Sequence, residues 1–224
     1  MARGSGRRGG RGRAIAHLLG LGLLGMTAAC KVMTIEEDRA LRARRGEAFD
    51  ATAAVERMWA PRVVPALAAR AVPAATLDAA IAGGLDAAGG RYGRRGAPGS
   101  AWAFAVSGSG RILSVDDRSR QGSVTIAIDG APAARPIRLQ IGPIVAGDAI
   151  REATGLFQFD DFADQLAFAD IGRALNRRAL GAIRPATGAL RPGGRVRFLG
   201  ATAVSEGDAP LVVLPLRLAV GPAA

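Results

Sequence analysis

The first apolar stretch of the chain runs from Ala14 to Met26, behind Arg3, Arg7, Arg8, Arg11 and Arg13 and no acidic residue. A basic segment, a short apolar run and the small residues Thr27-Ala28-Ala29 ahead of Cys30 read as a secretory leader. The run is shorter than the roughly 20 apolar residues that a spanning helix needs. Charge follows: Glu36-Glu37-Asp38, then Arg39, Arg42, Arg44 and Arg45, acids early and bases late, as the dipole of a short helix favours. From Phe49 on, Val55, Met58, Trp59, Val63 and Leu67 recur at helical spacing. Pro61 and Pro65 interrupt them, which predicts a kinked helix or two consecutive ones. Thr76 ahead of Leu77, Ile81 and Leu85 predicts another helix, capped by Thr76 and ended by Gly89-Gly90. Arg91 to Ser100, rich in glycine and proline, reads as a loop.

Beyond Ser100 the period changes to two. Trp102, Phe104 and Val106 alternate up to Ser107-Gly108-Ser109-Gly110, which reads as a hairpin turn. Strands are expected around Ile112–Val115, Val124–Ile128 and Ile137–Ile141, with Asp129-Gly130 as a turn between the last two. Val196–Phe198 and Leu214–Val220 supply two more. Between them Phe162, Leu166, Phe168, Ile171, Leu175 and Leu180 mark the buried side of one long helix, with Asp160 or Asp161 as its cap. The fold class is therefore α+β: an N-terminal helical subdomain, then a small OB-like β-barrel with one long inserted helix. The boundaries follow the pattern: residues 1–29 a leader, 30–48 a tether, 49–98 helical and 99–224 the barrel.

Composition narrows the chemistry. Cys30 is the sole cysteine and His17 the sole histidine, and His17 lies in the leader. Cleavage ahead of Cys30 leaves a chain with no histidine, and acylation of Cys30 leaves no thiol. That excludes Ser-His-Asp and Cys-His catalysis and zinc or copper sites of imidazole and thiolate. No cofactor is expected. A cysteine directly after small residues is the mark of a bacterial lipoprotein, so the membrane is the first partner, through a lipid on Cys30. Thr27 stands where lipoprotein boxes usually carry Leu, Val or Ile, and Thr27-Ala28-Ala29 also suits the general signal peptidase. Removing the five leader arginines from 30 basic residues leaves 25 against 19 acidic ones, a net charge of +6. Such a surface favours anionic headgroups. An exported chain with few aromatics is a poor nucleic-acid binder.

Several stretches carry a resemblance. They are Phe49-Asp50-Ala51 with Trp59 and Pro65, Tyr92-Gly93-Arg94-Arg95, Gly99–Phe104, Ser119-Arg120, Gln140–Arg151 with its Gln-Ile-Gly-Pro start, and Phe159–Gln165 leading to Ala174-Leu175-Asn176. Together they resemble the DUF2291 family of predicted periplasmic lipoproteins, from about Cys30 to Leu218. The resemblance implies a small lipoprotein with a helical part and an OB-like barrel, of a kind often encoded beside sugar-uptake ABC transporters and carbohydrate kinases. It brings no catalytic residue with it.

Three functions remain open: a non-enzymatic lipoprotein binding a ligand or a sugar ABC transporter component, an extracytoplasmic hydrolase using carboxylates, and a purely structural envelope protein. The hydrolase requires two acids converging in one pocket, and neither Asp116-Asp117 nor Asp160-Asp161 forms such a pair alone, since neighbours on a strand point apart. Ser107 and Ser109 have no histidine to activate them. Ile141–Gly147 is a weak anion cradle, because Pro143 lacks an N–H and Asp148 repels phosphate. Arg120, Gln140, Arg151, Gln165 and Asn176 offer the directional hydrogen bonds that a small polar ligand needs, with service to backbone groups as the alternative. Trp59 and Trp102 read as core anchors.

Overall fold

Residues 34–44, 49–131, 135–145, 147–206 and 210–221 are described in a computed structural model of the chain. Residues 1–29, read as a leader, and Cys30 lie outside the described residues. Helix α1, Ile35–Arg44, starts in a capping box. Thr34 Oγ1 accepts from the N–H of Glu37 at 3.2 Å, and Glu37 Oε2 accepts from the N–H of Thr34 at 2.9 Å.

Residues from Phe49 onward form a second unit. Its first helix, α2 (Ala51–Met58), opens on Asp50, whose carboxylate accepts from the N–H of Ala53 at 2.9 Å. Pro61 brings no N–H to the helix ladder. The backbone widens here into a π turn over Trp59–Val63, in which the N–H of Val64 bonds the carbonyl of Trp59. It resumes as α3 (Val64–Arg70), with Pro65, a second residue without an N–H, directly after the widened turn. The kink expected from the two prolines is this π turn.

The next pair, α4 (Ala74–Ala82) and α5 (Leu85–Tyr92), departs from the sequence pattern. The chain breaks at Gly83-Gly84, where Gly84 takes φ 140°, a conformation costly for any other residue. Helix α4 starts directly after Pro73, so Thr76 lies inside its first turn and does not cap it. Gly89-Gly90 lie inside α5 and do not end it.

Five strands close into a ring: β2 (Trp102–Asp116), β3 (Ser123–Ile128), β4 (Ile137–Gln140), β6 (Val212–Gly221) and β5 (Arg195–Val204), which returns to β2. A two-residue β1, Val72–Pro73, adds in parallel to β2 at Val106-Ser107. Strands β4 and β6 run parallel and every other neighbour in the ring antiparallel. Between β4 and β5 come α6 (Ala149–Thr154), a 3-10 turn (Phe159–Asp161) and α7 (Gln165–Thr187). This is the OB-like order with its inserted helix.

Ser107–Gly110 is not a turn. It lies in the middle of the 15-residue strand β2, which pairs β5 over Trp102–Arg111 and β3 over Gly110–Asp116. Its glycines serve close approach: a Cβ on Gly108 would meet Ala74 and the Phe198 ring at 3.1 Å, and one on Gly110 would overlap the carbonyl of Ala127.

Where the helices cover the ring, the strands are buried on both faces. Phe104 and Val106 point into the ring with Ile112, Val124, Ile126, Leu139 and Phe198. Ala103 and Ala105 point outward, under Val55, Trp59, Leu67, Ile171 and Leu175 of the helices. A bulge in β6, with Leu216 the extra residue opposite Leu199-Gly200, turns Leu214 and Leu216 outward and Leu218 back inward. The cap expected at Asp160 or Asp161 is Asp164, which accepts from the N–H of Ala167 at 2.9 Å. Asp161 instead closes the 3-10 turn, accepting from the N–H of Gln158 at 2.9 Å.

Candidate functional site

A cleft of about 610 Å³ opens between the loop after α5 and the segment 147–160. That volume suits a small ligand. Its floor is small, because Ala103 of β2 and Ala203 of β5 are paired partners there. Two glycines let the walls approach. Gly155, at φ 63°, ends α6, and the guanidinium of Arg94 lies against it where a Cβ would stand. A Cβ on Gly96 would come to 3.0 Å from Glu152 Oε2.

Arg151 is the buried charge of the site, only 8% exposed. One turn of α6 brings three charges together: its Nη2 meets Asp148 Oδ2 at 2.9 Å and Glu152 Oε1 at 2.8 Å, and its Nε donates to Glu152 Oε1 at 3.0 Å. Nη1 donates to the carbonyl of Phe168 at 3.1 Å, and the guanidinium lies 3.8 Å from the Phe168 ring centre. Helix α7 comes close enough because residue 172 is glycine; a Cβ there would overlap the Asp148 carboxylate. A buried guanidinium must be paired on all sides to be tolerated, and this one is. It fixes the carboxylates of Asp148 and Glu152, both of which line the cleft.

The wall beside Arg151 continues in aromatic rings, since its guanidinium lies on Phe168. Phe159 is 53% exposed and meets Phe168 edge-on at 5.6 Å. Phe162 joins Phe168 at 5.5 Å and Phe49 at 5.5 Å. Gln158, Asp160 and Arg94 share the rim with Phe159.

Of the five polar residues singled out in the sequence, Arg151 alone lines this cleft. Gln140 and Asn176 hold the loop between β4 and α6: Gln140 Nε2 donates to the carbonyl of Ile144 at 2.6 Å, and Asn176 Nδ2 donates to that of Gly147 at 2.9 Å. Asn176 Oδ1 is buried and has no hydrogen-bond partner among the described residues. Arg120 is exposed on the β2–β3 connection, where its carbonyl accepts from the N–H of Ile144 at 3.2 Å. Gln165 is exposed at the start of α7. The Gln-Ile-Gly-Pro stretch is a packing device: Gly142 sits against the backbone of Gln121-Gly122, and the N–H of Ile141 donates to the carbonyl of Gly122 at 3.0 Å.

Arg94, Asp148, Glu152, Gln158 and Phe159 were not singled out as ligand residues. The i, i+3 spacing of Asp148 and Arg151 was the available signal. Among the other carboxylates, Asp116 is held below the usual range by the Ser119 hydroxyl and by the backbone N–H groups of Ser119 and Arg118. That is the opposite of what a general acid requires. Among the described residues, no group of three or more His, Cys, Asp or Glu could hold a metal.

Four of the stretches that carry the family resemblance, 92–95, 99–104, 140–151 and 159–165, all supply residues to this cleft. The family described as predicted periplasmic lipoproteins, DUF2291, matches residues 21–219. The chain belongs to the DUF2291 family. The match starts at Leu21, within the segment read as a leader, and so spans Thr27–Cys30. Membership places this DUF2291 chain in the cell envelope as a lipid-anchored protein, and no described helix is long and apolar enough to cross a membrane. An OB-fold protein from Thermotoga maritima, solved by crystallography, is 17% identical, with a TM-score of 0.61. The alignment covers 77% of this chain and 99% of that one, which establishes the fold. An OBody bound to hen egg-white lysozyme is 15% identical over 55% of this chain and 83% of that one, with a TM-score of 0.28. No curated protein matches the sequence.

Proposed function

We propose that this DUF2291 protein is a non-enzymatic lipoprotein, anchored by acyl chains on Cys30, that binds a small polyhydroxylated solute in the cleft and assists ABC-type sugar uptake. The observation that carries the reading is the convergence of the four family-like stretches on one cleft. Its chemistry suits a sugar: an exposed Phe159 ring for the apolar face of a pyranose, with Glu152, Asp148, Asp160 and Arg94 as directional partners for hydroxyls. Paired charges that almost cancel favour a neutral ligand over an ion.

Thermal unfolding against a panel of pentoses and hexoses tests it. A bound sugar raises the melting temperature by mass action, about 2.7 kcal/mol of stabilisation at a hundredfold excess over Kd. Phe159→Ala and Glu152→Gln are expected to abolish that rise. A panel that leaves the wild type unmoved overturns the proposal. The anchor has its own test: palmitate labelling in the wild type and none in Cys30→Ser.

A further inference from the structure

On the outer face of the ring, away from the cleft, the strand pattern gathers arginines. Val196, Phe198 and Ile112 point into the barrel, so Arg195, Arg197 and Arg111 point out. Arg111 and Arg195 are paired partners in the β2–β5 register. Arg217 of β6 lies diagonally beyond Arg197, whose partner is Ala219. All four are exposed. One carboxylate answers them: Asp129 pairs with Arg195 and accepts from the Ser109 hydroxyl at 2.7 Å. Arg111, Arg197 and Arg217 have no acidic partner among the described residues. Like charges placed directly opposite on neighbouring strands destabilise a sheet. Between Arg197 and Arg217 lies a groove of about 560 Å³ with Pro73, Ser107 and Gly108 along it. Leu113, further along β2, leaves 39% of its surface exposed at the edge of this face.

We propose that this face, Arg111, Arg195, Arg197 and Arg217, is where the tethered protein lies on its membrane, with the groove taking a phosphodiester headgroup of an anionic phospholipid. The occupant follows from charge and from the anchor. The chain between Cys30 and Phe49 is 18 residues, ten of them in α1, so it reaches at most about 40 Å. A barrel held that close to a bilayer meets it at high effective concentration, and weak attraction by several arginines then suffices to orient it. Guanidinium groups pair well with phosphate oxygens.

The test uses the full mature chain as Cys30→Ser, which removes the acyl anchor, and co-sedimentation with vesicles of phosphatidylglycerol and phosphatidylcholine or of phosphatidylcholine alone. The protein is expected to sediment with the anionic vesicles only, and to be released by salt. Changing all four arginines to Gln is expected to lower partitioning roughly 600-fold at low salt, at about fivefold for each of the four charges removed. Arg57, Arg62, Arg70 and Arg184, exposed elsewhere, changed together to Gln remove the same net charge and are expected to leave most of the binding. Replacing the four face arginines by Lys keeps the charge and is expected to keep most of the partitioning, and a loss there equal to that of the Gln variant would overturn the proposal. Equal losses in the two Gln variants would reduce the effect to net charge and overturn the proposal. So would binding to neutral vesicles, or none to anionic ones.

Discussion

Gly89 and Gly90 are neighbours in α5 with opposite consequences. A Cβ on Gly90 meets nothing within 4 Å, whereas one on Gly89 would overlap the Trp102 indole. That indole is fixed from several sides: its Nε1 donates to Asp86 Oδ1 at 2.8 Å, and the Arg95 guanidinium lies 4.3 Å from the ring centre. Glycine costs a helix about 1 kcal/mol relative to alanine, so Gly90→Ala is expected to stabilise by up to about that amount. Gly89→Ala gains the same propensity but must displace a packed aromatic ring, an overpacking cost of about 1–3 kcal/mol. The clash wins, and urea unfolding should show the two substitutions with opposite signs. Nothing in the local sequence separates these glycines. The difference is the position of Trp102, which only the tertiary fold supplies. For the same reason the charges of the cleft were half legible: Arg151 stood out for the directional hydrogen bonds a guanidinium offers, but its two carboxylates and Gly172 are meaningful only once α7 lies against α6.

At the scale of elements, the period of the pattern reported type well and boundaries poorly. The prolines at 61 and 65 announced a kink, and the long helix before the last two strands is present as read. Its start was misplaced by a few residues because Asp160, Asp161 and Asp164 all have the chemistry of a cap. What decides among them is Phe159–Asp161 folding into its own 3-10 turn, which leaves Asp164 to open α7. Asp164→Ala is therefore expected to cost about 1 kcal/mol of stability, the usual loss of a capping oxygen. Asp160→Ala should stay within about 0.5 kcal/mol, as exposed substitutions without a structural role do. Equal effects in denaturant titration would place the cap elsewhere. Strand β2 was cut in two in the sequence because glycines and serines at 107–110 have turn composition. In a closed ring they do another job, admitting Ala74, Phe198 and the backbone of Ala127 where any side chain would collide. Period-two alternation is also weakened wherever helices cover the outside of the barrel, which is why Ala103 and Ala105 gave no strand signal of their own.

For the molecule as a whole, Asp129 joins fold and surface. It follows β3, receives the Ser109 hydroxyl from β2 and pairs with Arg195 of β5, so one carboxylate clasps three strands of the ring. The Ser109 hydrogen bond first, and Arg195 second, hold its pKa below the usual carboxylate value of 3.8. A carboxyl with a depressed folded pKa stabilises the native state above its unfolded pKa, and that contribution disappears as pH falls through the folded value. The wild type is thus expected to lose stability below about pH 4, and Asp129→Asn to flatten that part of the curve while melting lower at neutral pH. The group is solvated, so the change is small and best read as a difference between two acid titrations of the melting temperature. The same substitution strips the arginine face of the one carboxylate that pairs with it among the described residues. Asp129→Asn should therefore bind anionic vesicles more tightly than the parent at neutral pH even as it unfolds more easily. A weaker clasp and a more basic face come from one atom set, and a stability loss without a gain in vesicle binding would separate the two roles.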